Sequence, residues 1–132
     1  MSDPTSWAKS IFAITLFTED LDSTKAFYQK IFELPIEFED DQGNSAVFRF
    51  GSLIINLLKV SEAPELINPA SIAAADAGSR FVITIPVEDV DALCEKLQGH
   101  GVELLNGPMN RPWGPRTASF KDPAGYIWEI AQ

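Results

Sequence analysis

The sequence predicts an α+β fold made of two copies of one module, each a strand, a helix and three further strands. Residues 13–22 and 82–91 align at an offset of 69 (89 − 20), and repetition at a fixed offset indicates a duplicated structural unit. Each copy passes from an apolar, β-branched run to an acidic pair and then to helically spaced apolar residues. The five identical pairs are Ile14/Ile83, Thr15/Thr84, Glu19/Glu88, Asp20/Asp89 and Asp22/Asp91.

The first module is predicted to span residues 11–60. Residues 11–17 are rich in β-branched and aromatic side chains and predict a strand. Asp20 is placed to cap the following helix, and Leu34-Pro35 ends it because proline cannot continue a helix. The three strands that follow are predicted at residues 36–39, 46–50 and 53–58.

The second module is predicted to span residues 80–132 and to repeat this order after a linker at residues 61–79, whose alanines are expected to form a short helix. Asp89 caps the second helix, Gly99 and Gly101 end it, and residues 106–115 are predicted to be a long loop. The strands of this module are predicted at residues 81–87, 102–105, 117–121 and 126–131.

The composition is acidic, with a net charge of −9 and a pI near 4.4, so binding to nucleic acid or to an anionic membrane is not expected. The single cysteine, Cys94, excludes an internal disulfide and suits a reducing compartment. Residues 1–6 lack the basic-then-apolar order of a signal peptide, and no apolar run is long enough to span a bilayer. The expected location is cytoplasmic.

Three features carry a resemblance to a known family. They are the Glu-Asp pair that opens each helix, Phe27-Tyr28 in the first helix, and the run Asp122-Pro123-Ala124-Gly125-Tyr126-Ile127-Trp128-Glu129. Together they resemble the vicinal oxygen chelate superfamily, also called the glyoxalase/bleomycin-resistance/dioxygenase group. The resemblance covers nearly the whole chain. It implies a single domain over residues 1–132, in which two βαβββ modules form a curled mixed sheet around a cavity. It also implies a homodimer.

In metal-dependent members of that superfamily, four strands each supply one metal ligand, and the resemblance locates the four positions here. They fall at Ala13, at Val82, near Asn56 and at Glu129. Ala13 and Val82 have no donor atom, and an amide is a poor ligand. The single histidine, His100, lies just past the second helix. A divalent catalytic site needs at least three protein ligands. No metal and no other cofactor are therefore expected.

Glu129 is the candidate catalytic residue if the protein is an enzyme. Strand alternation places it on one face with Ile127 and Ala131. Under one interpretation, an arginine or backbone donors satisfy its carboxylate. Under the other, Glu129 is a general base, or it anchors an amine or hydroxyl of a ligand.

Trp113 and Arg116 are the second pair of candidates. Trp113 offers a stacking surface between two prolines, and Arg116 offers a planar fork for carboxylate or phosphate. The run Trp113-Gly114-Pro115-Arg116 resembles the bleomycin-resistance branch, whose members bind the drug without catalysis in a groove at a dimer interface. The alternative is that Trp113 packs against a partner subunit and Arg116 pairs with an acid.

The remaining candidate ligand-binding residues are Thr15, Thr84, Asn56 and Phe48, although core packing or cavity lining is favoured over a specific contact for Phe48. The preferred function is metal-independent binding or sequestration of a small organic molecule. The competing hypothesis is a lyase, isomerase or dioxygenase of the same superfamily that uses Glu129 as a base or metal ligand. A third hypothesis is a ligand-sensing or partner-binding module.

Overall fold

The computed structural model describes residues 7–132 and confirms the α+β fold with its duplicated module. The N-terminal segment in which no signal peptide was predicted, residues 1–6, lies outside the described residues. The chain divides into two compact units, the first ending at Ile72 and the second running from Ala73 to Gln132. Among the described helices, none has the length and apolar character needed to cross a membrane.

The first unit is a four-stranded mixed sheet with a helix packed on one face. Its elements are β1 (Ala13–Thr18), α1 (Leu21–Ile31), β2 (Phe38–Glu39), β3 (Ser45–Phe50) and β4 (Leu53–Lys59). The strand order is β1-β4-β3-β2, in which β1 runs parallel to β4 and the other neighbours are antiparallel. Helix α1 begins as predicted, because the Asp20 carboxylate accepts a hydrogen bond from the Ser23 N–H at 3.1 Å.

Phe48 belongs to the core of the first unit, which corrects its assignment as a ligand-binding residue. Its side chain is 0 % exposed, and its ring centre lies 5.3 Å from that of Tyr28 on α1. On β3, alternation turns Phe48 toward the helix and Val47 toward the opposite face. Phe48 therefore stabilises the packing of α1 on the sheet.

The segment after β4 forms a 3-10 turn (Val60–Glu62) and a short helix, α2 (Pro64–Ile67). The predicted helix of alanines is wrong, since the helix lies earlier. Pro64 fits the first helical turn, where its missing N–H has no partner to lose. Pro69 forces the residue before it, Asn68, into an extended conformation (ψ 138°), which ends the helix before the alanines.

The second unit repeats the first with the same connectivity. Its elements are β5 (Ile83–Pro86), α3 (Val90–Gly99), β6 (Leu104–Asn110), β7 (Arg116–Lys121) and β8 (Ile127–Ala131). The strand order is β5-β8-β7-β6, with β5 parallel to β8. Asp89 caps α3 as predicted, accepting a hydrogen bond from the Ala92 N–H at 3.1 Å. At the other end, Gly99 is still helical, and the chain reverses at Gly101 (φ +85°).

Strand β6 corrects the prediction of a long loop at residues 106–115. The strand continues to Asn110, so only residues 111–115 form the turn to β7. Pairing between β6 and β7 shifts register twice between Leu104 and Met109. These shifts accommodate Gly107 and Pro108, because proline has no N–H to donate to the neighbouring strand.

Candidate functional site

Each sheet has a helix-covered face and an opposite face that carries the predicted polar residues. In the first sheet Thr15 on β1 lies beside Asn56 on β4. In the second sheet Thr84 on β5 lies beside Glu129 on β8. The duplication therefore places a threonine next to an amide in one unit and next to a carboxylate in the other.

Glu129 is half-buried, and a threonine hydroxyl is its hydrogen-bond donor. Thr84 Oγ1 donates to Glu129 Oε1 at 2.9 Å, and Ser119 on β7 lies opposite Glu129 on its other side. In residues 7–132, neither an arginine nor a lysine pairs with this carboxylate. The structure therefore does not show the predicted alternative in which an arginine pairs with Glu129. The carboxylate can still accept hydrogen bonds from another group.

Thr15 and Asn56 occupy the corresponding place in the first unit. Both are half-buried and are neighbours in register on β1 and β4. Alternation puts them on the same face as Val47, away from the buried Ile55 and Leu57. They form an uncharged polar pair, which can donate and accept hydrogen bonds but offers little to a divalent cation.

Trp113 lies at the tip of the hairpin between β6 and β7 and is 72 % exposed. The turn is closed by a hydrogen bond from the Arg111 N–H to the Pro115 carbonyl at 2.8 Å. The guanidinium carbon of Arg111 lies 5.7 Å from the centre of the Trp113 ring, within cation–π distance. Arg111 thus contacts the exposed indole of Trp113 through a cation–π interaction.

Arg116 faces helix α3 and forms an ion pair there, which matches the second alternative for this residue. Its Nε and Nη2 donate to the two carboxylate oxygens of Asp91 at 2.9 and 2.8 Å. Its Nη1 donates to Asn110 Oδ1 at 3.1 Å. Because Arg116 alternates with Thr117, it lies on the same face of β7 as Phe120 and away from Glu129.

Arg111 is the arginine that the sequence analysis missed. Its Nε donates to Thr117 Oγ1 at 2.7 Å, and its Nη2 donates to Asn106 Oδ1 at 2.7 Å. Thr117 lies two residues before Ser119 on β7, so it shares the face that carries Glu129. If Phe120 is taken as a core residue, strand alternation places Arg116 on the core side of β7, away from the face that carries Glu129. This reasoning would have excluded Arg116 and left Arg111 as the candidate arginine.

We expect Arg116→Gln to raise the pKa of Asp91 toward its ordinary value of about 3.9. In the folded protein, hydrogen bonds from Arg116 lower the pKa of Asp91, and this effect exceeds the opposing effect of burial. Because the pKa of Asp91 is lower in the folded state, its ionised carboxylate stabilises the protein at pH values above the unfolded-state pKa. This contribution is lost as the pH falls through the folded-state pKa. Titration of the Asp91 carboxyl carbon by NMR measures the change; an unaltered pKa would contradict the ion pair.

Comparison with known proteins gives the family. Residues 10–130 match the Glyoxalase/Bleomycin resistance protein/Dioxygenase superfamily. The chain belongs to this superfamily. A relative is the uncharacterized protein YraH of Bacillus subtilis (strain 168). It is 30 % identical over 122 residues, a region that covers 91 % of this chain and 95 % of YraH.

Solved structures of the superfamily share the fold at low sequence identity. A glyoxalase/bleomycin resistance protein/dioxygenase from Nocardioides gives a TM-score of 0.84 at 22 % identity, covering 97 % of this chain and 85 % of its own. A lactoylglutathione lyase from Agrobacterium tumefaciens gives 0.74 at 21 % identity, with coverages of 93 % and 92 %. A glyoxalase-related enzyme from Fulvimarina pelagi gives 0.79 at 25 % identity, with coverages of 93 % and 87 %.

The residues present do not fit the metal site of the superfamily's metal-dependent members. Ala13 and Val82 carry only methyl and isopropyl groups at two of the four implied positions. Within the described part of the chain, no three His, Cys, Asp or Glu side chains are grouped so that they could hold a metal ion. His100 follows α3 directly, as the sequence predicted.

Asp122, which opens the superfamily's Asp-Pro-Ala-Gly run, is a structural residue. Its side chain is buried, and its Oδ1 accepts hydrogen bonds from the N–H groups of Ala124 and Tyr126, each at 3.0 Å. Its Oδ2 accepts a hydrogen bond from Trp128 Nε1 at 3.1 Å. This single carboxylate fixes the turn between β7 and β8 and the indole next to Glu129.

Proposed function

We propose that the protein binds a small organic molecule without a metal and that Glu129 anchors it on the polar face of the second sheet. The Glu129 carboxylate carries the proposal: it is half-buried, accepts a hydrogen bond from the Thr84 hydroxyl, and has no cationic partner within the described residues. A carboxylate in this environment binds a hydroxyl or an amine through a charge-assisted hydrogen bond. Trp113 adds an exposed aromatic surface in the same unit.

Thr15 and Asn56 are proposed as a separate pair of polar ligand contacts on the sheet of the first unit. Their adjacent positions on β1 and β4 support this role, as does their half-buried environment. Phe48 is left out because it is a core residue, and Arg116 is left out because Asp91 neutralises it. The proposed ligand-binding residues are therefore Thr15, Asn56, Thr84, Trp113 and Glu129.

The second candidate function is an enzyme in which Glu129 acts as a general base. The favouring observation is again the hydrogen bond from Thr84, which engages Oε1 and leaves Oε2 able to accept a proton. A lyase or isomerase reaction of this kind would transfer a proton from a carbon or hydroxyl of the substrate to that oxygen. The fold is shared with a lactoylglutathione lyase, but at 21 % identity this similarity concerns the fold alone.

A homodimer and a cytoplasmic location complete the proposal. Ile11 and Phe12, which precede the edge strand β1, are both exposed, and apolar surface of this kind supports association between copies. Cys94 is buried, and burial raises the pKa of its thiol, which keeps it protonated and unreactive in a reducing compartment.

We expect native mass spectrometry of the protein purified from its own host to show two chains, a retained organic molecule and no bound metal. Glu129→Gln should reduce ligand retention about tenfold or more, because a hydrogen bond to a charged group is replaced by a weaker neutral one. Glu95→Gln, an exposed change on α3, is the matched control and should leave retention unchanged. About one divalent metal per chain that survives dialysis would contradict the proposal and favour the enzyme.

A further inference from the structure

We propose that Arg111 and Trp113 form a binding site for the carboxylate of an aromatic acid. The guanidinium of Arg111 would bind the carboxylate, and the indole of Trp113 would stack on the aromatic ring. This inference rests on the proposed small-molecule function and adds to it the chemical class of the ligand.

Arg111 is held in one orientation by uncharged neighbours. Its Nε and Nη2 donate to Thr117 Oγ1 and Asn106 Oδ1, both at 2.7 Å, and Thr117 itself is only 1 % exposed. An arginine has five N–H donors, so these two bonds leave three for another acceptor. The side chain is therefore ordered before a ligand arrives, which lowers the entropic cost of binding.

The positive charge of Arg111 has no acidic partner in residues 7–132, although the sequence holds 19 acidic residues against 10 basic ones. Two other arginines are paired: Arg49 with Glu37 at 2.7 Å and Arg116 with Asp91 at 2.8 Å. In so acidic a chain, a positioned but uncompensated guanidinium is a distinguishing feature. A planar carboxylate matches the geometry of its remaining donors.

Trp113 makes an aromatic acid the best match. Its ring lies 5.7 Å from the guanidinium carbon and is 72 % exposed, so most of the indole surface is open to a planar ligand. Stacking of aromatic rings adds to the energy gained from buried area. A ligand with a carboxylate beside its ring can use both groups at once.

The position of Glu129 limits how the ligand is oriented. Thr117, which Arg111 contacts, lies two residues from Ser119, and Ser119 lies opposite Glu129. Two residues along a strand span about 7 Å. The carboxylate of the ligand must therefore lie at the Arg111 end, since repulsion by Glu129 opposes it at the other end. A hydroxyl or amine is the group expected near Glu129.

The test compares three probes that share a phenyl ring and differ in the charge of the attached group: benzoate, benzamide and benzylammonium. Isothermal titration calorimetry measures their affinities, and the Trp113 Nε1–H resonance reports contact with the indole. We expect benzoate to bind at least about tenfold more tightly than benzamide, as a charge-assisted hydrogen bond requires. Arg111→Gln should weaken benzoate about tenfold to a hundredfold and leave benzamide unchanged.

Arg80→Gln is the matched control, because it removes the same charge from an exposed position of the same unit. Benzoate affinity should not change in this variant. Because Arg111 also connects two parts of the hairpin, its removal can disturb the local structure. Arg111→Lys is therefore a second variant, which keeps the positive charge but lacks the planar guanidinium group. It should retain part of the preference for benzoate over benzamide.

Equal affinities for benzoate and benzamide, or an Arg111→Gln variant that binds benzoate as the wild type does, would overturn the inference. Binding of benzylammonium alone, lost in Glu129→Gln, would also overturn it while supporting the proposed small-molecule function. If none of the three probes binds, the inference fails, and retention of an organic molecule in the native mass spectrum then decides separately whether the proposed function stands.

Discussion

Gly107→Ala is expected to lower the free energy of unfolding by about 3 kcal/mol or more, which is a large share of the stability of a domain of this size. Gly107 has φ +87°, where a side chain is already strained. A Cβ atom there would lie 2.7 Å from the Ala118 Cα and closer still to the Thr117 carbonyl oxygen. Both are backbone atoms of β7, so they move only if the pairing of β7 with its neighbours changes.

Urea denaturation of Gly107→Ala and Gly51→Ala separates this clash from backbone strain alone. Gly51 has φ +64°, but a Cβ atom there would meet no heavy atom within 4 Å. Gly51→Ala should therefore cost only about 1–2 kcal/mol. Equal losses in the two variants would contradict the close approach of β6 to β7. Because Asn106 adjoins Gly107 and accepts a hydrogen bond from Arg111, Gly107→Ala should also weaken benzoate binding.

Asp122→Ala is expected to lower the free energy of unfolding by about 3 kcal/mol or more. The carboxylate is 4 % exposed and accepts hydrogen bonds from two turn amides and from the indole of Trp128. Its removal leaves three donors without their acceptor, at about 1–3 kcal/mol for each one that stays buried. Thermal unfolding measures the effect, and a change in tryptophan fluorescence reports the environment of Trp128, which is 1 % exposed, when Trp7→Phe and Trp113→Phe remove the other two tryptophans.

Two comparison variants sharpen this result. Asp89→Ala removes an exposed helix cap with one hydrogen bond and should cost about 1 kcal/mol. Asp122→Asn keeps one oxygen for the turn amides but can present an NH2 group to the indole N–H. Its loss of unfolding free energy should therefore fall between those of Asp89→Ala and Asp122→Ala. If Asp122→Ala is no more harmful than Asp89→Ala, the buried carboxylate does not organise this turn.

The sequence was sufficient to predict features that depend on local chemistry. Asp20 and Asp89 cap their helices because their side chains reach amides three residues away, and the repeat makes both positions visible. Strand alternation correctly put Glu129 on a face opposite Trp128, which lies in the core. Its neighbour Thr84 was also identified, but their hydrogen bond depends on the parallel register of β5 and β8.

Features that depend on contacts distant in sequence were predicted less well. Gly107 and Pro108 indicated a loop, yet β7 draws this segment into β6 with shifted register. Arg116 and Arg111 have the same chemistry, and only their place on opposite faces of the hairpin separates them. Phe48 was assigned to two roles because alternation alone does not say which face of a strand the helix will cover.

The irregularity of β6 also bears on how the protein avoids aggregation. An edge strand exposes unpaired backbone groups that can recruit a strand from another molecule. Pro108 and the shifts in register make β6 a poor template, and β2 offers only two residues at the corresponding edge of the first sheet. At the opposite edges, β5 contains Pro86, while β1 has six residues and no proline. Strand addition is therefore favoured at β1, next to the exposed Ile11 and Phe12.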